Sequence, residues 1–555
     1  MFPLSARLRA RLAWGAALAL VASGLFTAYL VQSRSTGADS DGSSIALQAW
    51  DMLHGNMLLT GWWLGDVSFY TTELPEYLVV EAIRGLGPDD VHVCAALTYT
   101  FLVLLAALVA RGRATGRAGV VRAAIAGGIM VAPALGYGTN TLLLSPDHTG
   151  TGVPLLVLLL LLDRLPAGWY LPVIMLFGLA WGQVADPLAT FALAIPVAFT
   201  GLFRVCLRRW VSGFRTDSGW FDLALAVAGA ASFPLAAAAL RGIRLLGGFY
   251  VPGVPGPLFA SASVLTAQAR TLGQCVLMLF GGDIIGWYPP TGINYPIAVL
   301  HLVGVLLAAA GFAVAIGRFF RTTDRVSQIL VTGLGVVLFA GWLGTHMASI
   351  FDTHEIAVVL PFGAALAGRQ LGDWVARIGA GWFRWVRLGV VAVLALSLAG
   401  YFAALGYGAT QPGQPAANQD LAQWLVAHGL REGLAGYWQA NSVSLDSREA
   451  VELAPIYGPA PYIWESRYVW YDPAVSYANF VVMVSAPPSD QVFARPSVIL
   501  RDFGKPARTY EFERYIIMVW NKNLLSSTLT VNAAGVQLTR LPAEGDVPAG
   551  AHFTG

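Results

Sequence analysis

LSARLRARLAWGAALALVASGLFTAYLV (residues 4–31) decides the fold. Arg7, Arg9 and Arg11 precede an unbroken apolar run. That run is too long for the apolar core of a signal peptide, and no small-x-small cleavage site follows it. It reads as an uncleaved membrane anchor. Runs of about this length recur near 92–110, 120–138, 150–162, 168–185, 188–205, 222–240, 296–317, 326–346, 355–372 and 386–408. At 1.5 Å per residue, about 20 residues cross the ~30 Å hydrocarbon layer. The composition agrees: 56% of the 555 residues are hydrophobic and 12% charged, with a mean hydropathy of +0.61. A soluble chain of this size carries about twice that charge. The fold class is therefore a polytopic α-helical membrane protein of about 11 spans. A net charge of +2 argues against a nucleic-acid partner.

Arginine sets the expected orientation, because basic loops stay on the cytoplasmic side. Clusters at 111–122, 163–164, 204–215, 318–325 and 369–387 fall on the same side as Arg7 in an eleven-span count. The N-terminus is then inside and the C-terminus outside. Outer loops are expected at 33–91 and 241–295, with a short outer turn at 139–149. Within 241–295, segment 264–282 contains Gln268 and Arg270 and reads as a helix lying along the interface. Only Lys505 and Lys522 among the 34 basic residues are lysine, a coding bias that points to a GC-rich bacterial genome. Cys94, Cys206 and Cys275 lie in or beside apolar segments, so no disulfide framework is read.

Residues 1–408 form the membrane domain in this reading, and 409–555 an outer α+β domain. NFVVMV (479–484) and RYIIMVW (514–520) read as strands. DLAQWLVAHGLREGLAGYW (420–438) reads as a helix that starts near Asp420 and ends near Gly429 and Gly433. Trp438, Trp464, Trp470 and Tyr471 either line a sugar-stacking surface or form ordinary core.

Three polar constellations stand at expected outer ends. ADSDGSSIALQAWDMLHGN (38–56) carries Asp39 and Asp41 before an amphipathic stretch whose Ile45, Leu47, Trp50, Met52 and Leu53 suit a surface helix. Asp41 is either a general base raised by partial desolvation or a helix N-cap. SPDH (145–148) brings Asp147 and His148 to the outer start of a span. FDTHE (351–355) places His354 and Glu355 at another, where they suit a phosphate or a metal. Arg241 and Arg244 break the positive-inside trend, which suits either an anionic lipid-linked ligand or snorkelling to headgroups.

The first loop resembles that of the GT-C glycosyltransferases, which include protein O-mannosyltransferases and lipid A aminoarabinose transferases. The family's acidic first-loop residue and its Met-Leu-x-Gly are matched by Asp41 and Met52-Leu53-His54-Gly55; its Pro-rich element is matched by Leu74-Pro75-Glu76-Tyr77. The family's second acidic residue is Gly42 here. SFYTTELPEY (68–77) further resembles an actinobacterial group of such proteins.

The resemblance implies a membrane glycosyltransferase on the outer face of a bacterial cytoplasmic membrane. The donor would be a polyprenyl-phosphate-linked sugar, and the acceptor a hydroxyl on a glycan, lipid or protein. Asp41 would be the catalytic base, with inversion at the sugar. Arg241, Arg244 and His354 would contact donor phosphate, and Asp147 with His148 would orient the acceptor or bind a metal. Asp39, Glu73 and Glu355 are secondary candidates. A divalent cation is the possible cofactor. A lipid-linked glycan flippase and a non-catalytic membrane subunit are the alternatives.

Overall fold

The computed structural model describes residues 6–144, 148–210, 219–252, 259–286, 289–344, 349–377, 384–486 and 493–527. Among these, seven helices are long and apolar enough to cross a bilayer: Leu12–Ser33, Asp89–Arg111, Thr190–Leu207, Gly219–Leu245, Asn294–Arg318, Arg325–Leu343 and Leu388–Gly408. An eighth arises if Ile350–Ile356 and Val359–Arg377, bent by 55°, count as one span. Their outward faces are apolar. Leu20 is 76% exposed, Phe233 62% and Leu396 72%, a surface suited to hydrocarbon rather than water.

The other three apolar runs fold as shorter helices, so the expectation of eleven full spans is not matched by helix length. Gly116–Met130 has 15 residues, Gly152–Arg164 has 13 and Tyr170–Ala185 has 16. These reach only about 20–24 Å at 1.5 Å per residue. Proline is the common terminator: Pro133, Pro166 and Pro187 each follow within three residues of a helix end. A proline ring cannot continue the hydrogen-bond ladder, and it pushes the residue before it out of helical geometry. Segment 264–282 contains the helix Leu265–Leu279.

The chain packs as two compact units. One comprises Met1–Thr36, Ala95–Ala236 and Pro257–Gly413; the other comprises Gly37–Cys94, Ala237–Gly256 and Gln414–Gly555. In the first unit, Gly-x-x-x-Gly at 368–372 lets the Val359–Arg377 helix press onto Gly116–Met130. A Cβ at Gly368 would stand 2.4 Å from the Arg122 carbonyl oxygen, closer than any side chain tolerates. Small residues set such close approaches where lipid supplies no hydrophobic drive.

The arginine-rich connections of this unit meet one another. Arg369 pairs with Asp324 at 2.7 Å and Asp163 at 3.3 Å. Asp222 takes Arg204 at 3.2 Å and Arg325 at 2.8 Å, while Arg122 pairs with Asp373 at 2.5 Å. Five connections expected on a common side are thus joined by ion pairs. Removing one partner of such a buried pair strands the other charge, so the network holds the connections in register.

In the second unit the tail builds a mixed six-stranded sheet. In chain order the strands are β1 (Trp62–Trp63), β2 (Glu432–Ala435), β3 (Glu452–Tyr457), β4 (Ala460–Pro461), β5 (Ser466–Arg467), β6 (Phe480–Val484), β7 (Arg508–Phe512) and β8 (Tyr515–Val519). The sheet order is β4-β3-β2-β6-β8-β7, and β1 pairs with β5 separately. The strands expected around 479–484 and 514–520 are β6 and β8, antiparallel neighbours. The single helix expected over 420–438 is corrected. It runs only from Gln419 to Ala427, and Gly429 follows at φ 68°. Residues 432–435 are instead the central strand β2, parallel to β3 and β6. Gly433 belongs there because a Cβ would meet the Phe480 ring at 2.5 Å. Leu421, Leu425, Val443, Leu453, Phe480 and Ile517 close the core beneath the sheet. Of the expected stacking aromatics, Trp470 and Tyr471 are core, at 5% and 3% exposed.

Candidate functional site

The helix Ser40–Leu53 starts with Asp39 in extended backbone at φ −106°, its carboxylate accepting the Gly42 amide at 3.1 Å. The cap is therefore Asp39, not Asp41, and Asp39 is spent on backbone rather than on solvating a loop. Asp41 sits in the first turn, released from capping. The amphipathic pattern suggested a surface helix, and the structure corrects this. Gly42–Ala49 and Met52 are buried, because the helix packs against Leu74–Arg84 and Tyr437–Asp446. Asp51 accepts from Asn56 Nδ2 at 2.6 Å and Trp62 Nε1 at 2.8 Å, and pairs with Arg467 at 3.2 Å. It is a structural knot, whereas His54 is exposed beside Trp50.

Asp41 meets the hydroxyl of Tyr437, and the same hydroxyl lies 2.5 Å from Glu465 Oε2. Tyr437 is 3% exposed and Glu465 7%. Burial, then the carboxylates of Asp41 and Glu465, push the phenols of Tyr437 and Tyr462 well above their usual range. Glu465 has φ 46°, a left-handed backbone that non-glycine residues adopt only when their surroundings enforce it. Asn441 Nδ2 donates to its carbonyl at 3.0 Å. A Cβ at Gly65 would come 3.4 Å from Glu465 Oε1 and 3.3 Å from the Trp464 ring.

The missing second acidic residue now has a physical reason. A Cβ at Gly42 would stand 2.7 Å from Val91 Cγ1, and Val91 is fully buried. A side chain at position 42 would run into Val91, and the second carboxyl beside the Tyr437 hydroxyl is that of Glu465. Sequence reading missed Glu465 and Tyr437; the signal available was a charged residue inside the aromatic run PYIWESRYVWY (461–471).

The second cluster lies in the other unit. His148, at φ 49° and 6% exposed, brings its Nδ1 to 2.9 Å from Asp186 Oδ2. Asp186, fully buried, also accepts from Thr151 Oγ1 at 2.6 Å and the Leu188 amide at 2.8 Å. With Nδ1–H donated to this carboxylate, the imidazole lone pair is on Nε2. The His354 ring stacks on His148 with centroids 5.5 Å apart and planes 4° apart. One ligand atom each from His148, His354 and Glu355 lies within 4.8 Å of the other two. Asp352 closes a capping box with Ser349, which leaves Glu355 as the carboxylate of the group. Asp147 falls outside the described residues. Sequence reading paired His148 with Asp147 and did not see Asp186, whose signal was the Asp-Pro step at 186–187.

Arg241 and Arg244 occupy the last turns of Gly219–Leu245, both at its solvent-accessible end. The Arg244 guanidinium stands 4.4 Å over the Tyr250 ring, which orients its outer donors. Glu73 is 1% exposed and accepts from Thr72 Oγ1.

No protein-family model and no curated protein matches the chain. Solved structures do. ArnT from Cupriavidus metallidurans in the apo state superposes with a TM-score of 0.52 at 12% identity, covering 94% of this chain and 99% of that one. The same protein bound to undecaprenyl phosphate gives 0.51 at 12% identity, covering 95% and 99%. The oligosaccharyltransferase of Archaeoglobus fulgidus in its apo form is similar at 0.45 and 14% identity, covering 85% and 69%. The class is thus a multi-pass membrane protein. Its fold is the GT-C fold, as the first-loop resemblance implied.

Glu81, on the same first-loop segment, is 1% exposed and has neither carboxylate oxygen hydrogen-bonded. Burial, then Asp90 and Glu449, push its pKa from 4.5 to about 9. A folded-state pKa above the unfolded value gives a contribution that is complete below pH 4.5 and lost as pH rises through the folded value. Wild-type melting temperature should therefore fall between pH 5 and 9, and Glu81→Gln should flatten the fall. Equal slopes for the two proteins would contradict the assignment.

Proposed function

We propose that this chain is a membrane glycosyltransferase that moves a sugar from a polyprenyl-phosphate donor to an acceptor hydroxyl on the outer face of a bacterial cytoplasmic membrane. The observation that carries the proposal is Asp41, released from capping and held by Tyr437 in a chain with the GT-C fold. The ArnT structure bound to undecaprenyl phosphate supports a lipid-phosphate donor. An outer-face enzyme meets no nucleotide sugars, which also favours a lipid-linked one.

Asp41 takes the proton of the acceptor hydroxyl as its oxygen attacks the anomeric carbon. The bond from that carbon to the phosphate oxygen breaks with inversion, and the electron pair leaves on the phosphate. Arg241 and Arg244 are the candidates to meet that developing charge. General-base catalysis is worth about 10²–10⁴ in rate. Asp41→Asn should therefore lower transfer by roughly that factor and abolish a cell-surface glycan, with the protein still folded and inserted. An unchanged glycan would sink the catalytic reading.

His148, His354 and Glu355 suit a divalent cation. Two imidazoles and a carboxylate are common ligands for zinc and its neighbours, and Asp186 supplies the outer carboxylate that such a histidine usually has. Titration of the purified protein with Zn²⁺ or Mn²⁺ should show one site that His354→Ala, which removes a ligand, weakens by more than the about 10–100-fold typical of losing an outer-shell partner. Equal binding by wild type and variant would remove the cation from the proposal.

A further inference from the structure

Tyr437 has one hydroxyl proton and two carboxylates within reach of its oxygen. A phenol donates one hydrogen bond and accepts others, and an ionised carboxylate only accepts. With both carboxylates ionised, one of the two contacts would set lone pairs against lone pairs in a buried site. A second proton, on one of the two carboxyls, turns both contacts into hydrogen bonds. We infer that Asp41, Tyr437 and Glu465 share one extra proton at neutral pH, carried by Glu465 in a chain that runs from the Glu465 carboxyl to the Tyr437 oxygen and from the Tyr437 hydroxyl to the Asp41 carboxylate.

The direction of the chain follows from burial. Glu465 is 7% exposed, and Asp41 is only partly buried. Desolvation penalises the charged form, so the more buried carboxyl keeps the proton. The left-handed backbone at Glu465 and the Asn441 bond to its carbonyl aim that carboxyl at the phenol. The titratable groups that raise the two phenols of the pocket are Asp41 and Glu465 for Tyr437, with Tyr471 added for Tyr462.

The arrangement gives Glu465 and Tyr437 positioning roles toward Asp41. The neutral Glu465 leaves Asp41 as the anion of the set, and the Tyr437 hydroxyl fixes the orientation of its carboxylate. That consequence rests on the reading of Asp41 as the base; the shared proton does not.

Infrared difference spectroscopy of the purified full-length protein at pH 7 tests the inference through the carbonyl stretch of a protonated carboxyl. Other neutral carboxyls, Glu81 among them, cancel between wild type and variant. Glu465→Gln should remove one protonated carboxyl from the wild-type spectrum. Asp41→Asn should remove the same one although Glu465 is still present, because Tyr437 then donates to an ionised Glu465 while the introduced side-chain amide donates to Tyr437. Retention of the band in Asp41→Asn would mean that burial alone neutralises Glu465, and would overturn the shared proton. Retention in Glu465→Gln would overturn it too. Glu465→Gln mimics the neutral acid in shape, so a melting temperature close to wild type separates the spectral loss from misfolding. If both variants lose the band but the wild type transfers no sugar from polyprenyl-phosphate donors, the shared proton stands and the glycosyl-transfer reading fails alone.

Discussion

The hydroxyl of Tyr437 ties the first turn of the Ser40–Leu53 helix to Glu465, more than four hundred residues further along the chain. A buried anion needs a donor or a proton, and this one hydroxyl stands between both carboxyls. Much else in that unit follows from the contact. Asp39 must cap the helix so that Asp41 can turn toward the phenol. Gly42 must stay bare against Val91, and Gly65 must leave space beside Trp464 and Glu465. Glu465 must hold a backbone that costs energy elsewhere in proteins. A first loop that pattern alone assigns to the membrane surface becomes a buried helix between Leu74–Arg84 and Tyr437–Asp446.

The second cluster repeats the logic with different chemistry. His148 also sits in left-handed backbone, and Asp186 fixes which ring nitrogen holds its lone pair. In both places a strained residue is oriented by a buried partner that lies far away in sequence. Such strain persists only where surrounding contacts over-determine it, and it concentrates at sites that work.

How much of this was legible before folding depends on the range of the physics. Hydrocarbon thickness acts locally, so the long spans from Leu12–Ser33 to Leu388–Gly408 could be read as runs. The arginine clusters likewise marked connections that ion pairs join. Proline terminators were local too, yet counting runs as full spans ignored them, most clearly at 120–138, where the helix Gly116–Met130 stops short of Pro133. Strand β2 was hidden because EGLA has neither clear period; its parallel pairing with β3 and β6 makes it a strand. Asp41 was visible through its spacing to Met52-Leu53-His54-Gly55 and its resemblance to a known loop. Glu465, Tyr437 and Asp186 were not, because their meaning lies in contacts that only the fold creates.

If Asp41 takes the acceptor proton in a single displacement, the stereochemistry of the product records it. The most direct measurement is the anomeric configuration of the glycoside made by the purified chain in liposomes, from a polyprenyl-phosphate sugar of known anomer. The account predicts the inverted anomer together with release of polyprenyl phosphate. A product with retained configuration would exclude a single in-line displacement and would contradict the role given to Asp41.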